Sequence, residues 1–198
     1  PYGWDPGGSV SFILSRSVRD SAAMLDAVEG PDCGYYGAAA PHGMPYAEAV
    51  RCEPRKVRIA YMLRTPYGKE FSDPECILAV KEAVEILRSL GHECIEAYPD
   101  IRESYHEARI ACMCDEIAVS IEELAAGTGL TADESTLEPL VYKTYLESQK
   151  RMGMDVFRAK AELGIAARAM GRFFENYDIV LSPTVGKAGR RLGMLNGV

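Results

Sequence analysis

Apolar residues along this chain recur at two different periods, and the places where the period changes divide it into elements. Between residues 17 and 29, Val18, Ala22, Leu25 and Val28 return every three or four positions, which predicts a helix with one buried stripe. Ser17 stands where a side chain can cap the first turn, and Gly30-Pro31 stops the helix. From Lys56 to Met62 basic residues alternate with apolar or small ones, the pattern of a strand. Ser72-Asp73-Pro74-Glu75 is then a helix start, because Asp can cap and Pro is tolerated at the first helical position. The stripe Ile77, Val80, Val84, Leu87 and Leu90 runs from there to Gly91, and 92–97 resumes as a strand. Residues 56–97 therefore predict a strand, helix, strand unit, which builds a sheet with helices packed on it.

The second half of the chain is helical in pattern over 101–126 and again over 137–177, with Gly127-Thr128-Gly129 and Pro139 as punctuation. Ile165, Ala169, Phe173 and Phe174 give the last helix a broad apolar face. Asp178 to Ser182 then predicts a short strand closed by Pro183. Residues 1–10 and most of 31–54 are rich in Gly and Pro and predict loop, with a short helix over 47–51. The pattern contains no internal repeat.

Composition narrows the class. At 198 residues the length is that of one ordinary domain, and 47% hydrophobic with 26% charged residues is a globular balance. Twenty-two basic against 29 acidic residues leave a net charge of −7, so no electrostatic footprint for nucleic acid is expected. No apolar run reaches the ~18–20 residues a membrane span needs, and the opening PYGWDPGGS lacks the basic and apolar stretches of a signal peptide. Neither membrane insertion nor secretion is expected. Six irregularly spaced cysteines suit reduced thiols in a cytoplasm better than a disulfide scaffold. The first residue is not Met, which fits a processed product, an engineered segment or a piece of something longer.

Local chemistry offers several candidates, each with a plain structural alternative. Gly7-Gly8-Ser9 places glycines beside a serine, as an oxyanion site requires, but no base accompanies it. A thiol nucleophile would need one of His42, His92 or His106, and the pairs to consider are Cys94 with His92 and Cys114 with His106. Cys112-Met113-Cys114 has no second pair with which to complete a zinc site. Asp115-Glu116, Glu122-Glu123 and Asp133-Glu134 are adjacent carboxylates that diverge, and they read as solvated faces. Arg190-Arg191 reads as an exposed pair, and no dinucleotide or phosphate-loop fingerprint occurs.

Three blocks carry more. Ser15 to Gly30 (SRSVRDSAAMLDAVEG), Lys56 to Tyr61 (KVRIAY) and Phe173 to Thr184 (FFENYDIVLSPT) resemble, in order and separation, the downstream blocks of the amidase signature family of hydrolases. The first is similar to the family's R-[ST]-V-R-D-[SA]-A-x-[LM]-L-D-A stretch and the last to its Y-D-[VIL]-[VL]-[LV]-[ST]-P-T stretch. Trp4 to Leu14 and the helix before Phe173 look most like the branch of nylon-oligomer hydrolases and broad-specificity amidases. The resemblance implies an α/β fold, part of an α/β/α sandwich around a mixed β-sheet. It implies hydrolysis of carbon–nitrogen amide bonds in small molecules by a lysine, a bridging serine and a nucleophilic serine that forms an acyl-enzyme, with no metal or organic cofactor.

In that family the lysine and both serines lie upstream of the SRSVRD block, and only fourteen residues precede Ser15 here. The expectation is therefore a single partial domain over 1–198 that lacks the upstream catalytic part and the C-terminal end of the family domain, holds none of the catalytic residues and is inactive alone. Gly7-Gly8-Ser9 stands too close to Arg16 to be the nucleophile's setting and lines up better with the G-G-x-S-V loop that the nylon-hydrolase branch carries just before this block. Arg16, Arg19 and Asp20 are expected to serve caps and ion pairs. Pro183 and Thr184, at the end of a strand, are the expected substrate-pocket residues, since ligands of open α/β sheets collect at strand ends. A sheet cut from a larger one leaves bare edges, so self-association is expected. The competing readings are a non-catalytic α/β binding module and an independent thiol hydrolase.

Overall fold

The computed structural model describes residues 11–31, 33, 43–69, 73–189, 191, 192 and 194, so Trp4, Ser9, His42 and Arg190 lie outside the described residues. The chain divides into two compact units, Pro1–Arg55 and Lys56–Val198.

In the first unit α1 (Val18–Val28) starts as its sequence predicts, the Ser17 hydroxyl accepting the Asp20 N–H at 3.2 Å. Its apolar stripe is not buried throughout. Ala22 is buried and Leu25 half-buried, but Val18 and Val28 are 72% and 56% exposed. Among the described residues of this unit the one helix beside it is α2 (Tyr46–Ala49), too short to cover three turns. Pro45 cannot cap α2 with its side chain, and Asp26 of α1 does so instead, accepting the N–H groups of Tyr46 at 2.6 Å and Ala47 at 2.8 Å.

The second unit opens with the expected strand, helix, strand. β1 (Arg58–Tyr61), α3 (Pro74–Ser89) and β2 (Glu93–Glu96) form a parallel crossover, and β3 (Ile179–Leu181) adds to the other edge of β1. The order is β2-β1-β3, with all three strands parallel. β1 is central, which explains why Ile59 and Ala60, on opposite faces, are both buried at 2% and 0% exposure. Ile59 packs with Val80 and Val84 of α3 and with Cys94 of β2. α3 ends at Gly91, whose φ of +85° only glycine adopts cheaply, and Lys56 reaches the carbonyl of Leu90 at that end.

At the start of β3, Asp178 clamps the sheet. Its carboxylate accepts the Arg58 N–H at 2.8 Å and its own N–H donates to the Arg58 carbonyl at 2.9 Å, while the Arg58 guanidinium lies over Tyr177.

Three helices fill the sequence between β2 and β3. α4 (Ser104–Thr128) ends at Gly129, in the left-handed region with φ +72°. The helical pattern over 137–177 resolves into two helices, α5 (Pro139–Gln149) and α6 (Gly153–Phe174). The break was hidden because Met152 occupies the cap position. Asp155 supplies the local signal, its carboxylate accepting the Met152 N–H at 3.2 Å. α4 meets α6 through the short side chains Ala108, Cys112 and Ala159, which let the two backbones come close, with Leu163 packed against them. Of the expected apolar face of α6, Ala169 is buried, Ile165 and Phe173 are half-buried, and Phe174 is 47% exposed.

Asp115 departs from the solvated face expected of it. It is half-buried on α4 and accepts from Arg151 Nε at 2.6 Å, while Arg151 Nη2 reaches Ser148 Oγ at 3.2 Å. One Asp115 oxygen, Oδ2, is buried with no hydrogen-bond partner, so this ion pair is incompletely satisfied. Replacing Arg151 by Met strands the carboxylate and is expected to destabilise the fold by about 1–3 kcal/mol. Adding Asp115→Leu should recover most of that loss, as read from urea denaturation midpoints. A single variant as stable as the parent would show that the pair contributes nothing.

Candidate functional site

Parallel pairing brings the C-terminal ends of all three strands to one edge, where residues 62–64, 97–99 and 182–184 follow β1, β2 and β3. The segments are joined there. Met62 N–H donates to the Leu181 carbonyl at 2.9 Å and Ala97 N–H to the Tyr61 carbonyl at 3.3 Å. The Tyr98 hydroxyl accepts the Leu63 N–H at 3.2 Å and donates to Glu96 Oε1 at 2.6 Å, with the Arg64 guanidinium 4.3 Å over its ring. Burial first, then the Glu96 carboxylate, pushes the Tyr98 hydroxyl above its ordinary value.

Pro183 and Thr184 turn the chain off this edge, Pro183 half-buried and Thr184 exposed. The segment that follows is held by Asp73, the cap of α3. Asp73 Oδ1 accepts the Glu75 N–H at 3.0 Å, Oδ2 accepts the Ala188 N–H at 3.1 Å, and the Asp73 N–H donates to the Gly186 carbonyl at 3.2 Å. The N–H groups of Glu75 and Ala188, with Lys187 adding to them, hold the Asp73 carboxyl below its ordinary value. Sequence reasoning identified Asp73 as a helix cap and missed its second partner, because nothing local signals a contact 115 residues away.

The other candidates are not brought together. His92 Nδ1 accepts the Val57 N–H at 3.3 Å, and Cys94 is buried in the aliphatic cluster around Ile59. His106 lies against Tyr67, with ring centroids 5.6 Å apart. Eight residues of helix, about 12 Å of rise, separate His106 from Cys114, so they cannot form a nucleophile and base pair. Arg16, Arg19 and Asp20 are exposed, Asp20 in the first turn of α1, where an acid suits the helix dipole. Among the described residues no cluster of three or more His, Cys, Asp or Glu is arranged to hold a metal ion, and no helix is long and apolar enough to cross a membrane.

An open groove of about 800 Å³ reaches the ends of β1 and β2 from the side of α3, lined by Tyr61, Leu63 and Glu96 with Lys81, Glu85 and Arg88. Pro183 and Thr184 do not line it. Arg88 closes this flank, donating to Glu85 at 2.9 Å and to the Cys94 carbonyl at 3.0 Å, a carbonyl that the ladder turns to the free edge of β2. The candidate site is the end of β3 at Pro183 and Thr184, outside this groove.

The family model described as Amidase matches residues 8–198. The chain belongs to the amidase family. Over 192 residues it is 29% identical to the 6-aminohexanoate-cyclic-dimer hydrolase of Paenarthrobacter ureafaciens, covering 96% of this chain and 39% of that protein. It is 24% identical over 187 residues to an acylamidase of Rhodococcus erythropolis, covering 94% and 37%. Among solved structures, 6-aminohexanoate cyclic dimer hydrolase complexed with substrate superposes with a TM-score of 0.82 at 28% identity, over 90% of this chain and 38% of that one. A bacterial aryl acylamidase of the amidase signature enzymes shares the fold, with a TM-score of 0.72 at 14% identity, covering 93% and 40%. The amidase chain thus spans about two fifths of the length of these relatives.

Two outcomes follow from this geometry. Because the folded state favours the Asp73 carboxylate, the stability contributed by its contacts is present above the ordinary carboxyl range and is lost as pH falls through the depressed folded value. The Ala188 amide resonance should titrate with a midpoint below 3.8, the ordinary value for Asp, and a midpoint at or above it would contradict the contact. In iodoacetamide labelling of the native protein, exposed Cys52 should react well before buried Cys94. Early labelling of Cys94 would reopen the thiol reading.

Proposed function

We propose that this chain supplies the scaffold and part of the substrate-pocket wall of an amidase-family hydrolase that cleaves carbon–nitrogen bonds in small-molecule amides through a serine acyl-enzyme. In this reading the lysine and the two serines come from sequence upstream of residue 1, and Pro183 and Thr184 face the substrate. The observation that carries it is the position of the S-P-T turn: it leaves the shared C-terminal edge of a parallel sheet in a chain similar, over nine tenths of its length, to a hydrolase whose structure is complexed with substrate. Strand ends are where open α/β sheets bind ligands, because the loops leaving them diverge and leave a crevice. The six irregularly spaced cysteines support a reducing, cytoplasmic setting in the same reading. Chemistry within the described residues adds a second support. The histidines nearest the cysteines in sequence are engaged elsewhere, His92 with the Val57 backbone and His106 with Tyr67.

The test compares residues 1–198 alone with the product of the native reading frame, using 6-aminohexanoate cyclic dimer and a set of short acyl and aryl amides. Turnover by the frame product, with none by residues 1–198, is the expected result. Cleavage by residues 1–198 that disappears on changing one of their own side chains would overturn the assignment of the catalytic residues. Amide cleavage absent from both would favour a binding module.

A further inference from the structure

We infer that Asp73 is a positioning residue, which sets the wall formed by Pro183 and Thr184 by latching the segment behind it to the start of α3. This rests on the reading of that turn as pocket wall. The latch has two hydrogen bonds. The Asp73 backbone N–H donates to the Gly186 carbonyl at 3.2 Å, and the Ala188 N–H donates to Asp73 Oδ2 at 3.1 Å.

Capping α3 does not require both carboxylate oxygens. Oδ1 alone takes the Glu75 N–H, so a residue with one acceptor, Ser or Asn, would start this helix as well. What Asp adds is a second, charged acceptor, and it is spent on a segment 115 residues downstream. The downstream segment has few other means of holding its place. Val185 is 58% exposed, Lys187, Ala188 and Gly189 are exposed, and no described helix or strand follows β3. From Pro183 to Ala188 the chain is therefore pinned at two ends, by the β1–β3 ladder before the turn and by Asp73 after it. A short span fixed at both ends has few conformations to lose when a ligand binds against it. α3 is the crossover helix packed on β1, so the latch refers the wall to the most buried part of the sheet through Val80 and Val84.

Two variants separate the cap from the latch. Asp73→Asn keeps one carbonyl oxygen for Glu75 but turns an amide donor toward the Ala188 N–H, and Asp73→Ser keeps a capping hydroxyl with no second acceptor. In hydrogen exchange on residues 1–198, both variants are expected to speed exchange at Ala188 by about tenfold while α3 amides from Val80 to Leu87 keep their parent rates. Parent-like exchange at Ala188 in both variants would overturn the latch. In the native frame product, Asp73→Asn is expected to raise KM for the amide by roughly fivefold or more with kcat within about threefold, since a loosened wall weakens uniform binding. A fall in kcat with KM unchanged, the mark of a smaller folded fraction, would overturn the positioning role. If the frame product cleaves no amide, the proposed function fails, while the exchange data still decide the latch.

Discussion

The second unit depends on one strand being satisfied on all four sides. β1 has an apolar residue on each face and hydrogen-bonding groups on each edge, and Ile59 and Ala60 are buried because both faces are covered. Its two edge partners come from 35 and 120 residues downstream, as the pairs Arg58 to Glu93 and Ile59 to Ile179 show. Burying Ile59 alone contributes about 1.5–3 kcal/mol, but only if α3 lies over it and both neighbouring strands are in register. Everything at the C-terminal edge inherits its position from that register.

The edge shows how a site is placed by elements that have no chemistry of their own. Tyr98 joins β2's exit to β1's through the Leu63 N–H, and the Met62 N–H joins β1's exit to β3's. The motif carrying the family resemblance has a similar division of labour. In Tyr177-Asp178-Ile179-Val180-Leu181-Ser182-Pro183-Thr184, Asp178 is a clamp at the opposite edge of the sheet, holding Arg58 through both its backbone and its carboxylate. The following three residues form the ladder, and Ser182, Pro183 and Thr184 carry the chain off the end of the strand. A pattern useful for recognising the family is thus mostly a pattern for pairing β3 with β1.

Much of the fold could be read in advance because its signals are local. Ser17 and Asp73 cap the helices they were expected to cap, Gly91 ends α3, and the strand, helix, strand unit lies where its periodicity placed it. Readings that needed a partner fared differently. The α1 stripe was expected to be buried, yet Val18 and Val28 are exposed, since a stripe states only that a helix can be covered on one side. Asp115, expected on a solvated face beside Glu116, faces Arg151 across a helix boundary that the sequence pattern did not reveal. The candidate site was legible only as the end of a strand, at Pro183 and Thr184. Asp73 looked like a cap and nothing more.

Most element types and ends, the break between α5 and α6 excepted, and family membership follow from the sequence by itself, because periodicity, caps and short motifs are properties of neighbouring residues. The tertiary structure alone decided which strands adjoin, which face of each helix is covered and what the second oxygen of Asp73 holds. Those outcomes depend on pairs of residues far apart in the chain, whose hydrogen bonds form only after the intervening segments have packed, and no local pattern encodes the partner.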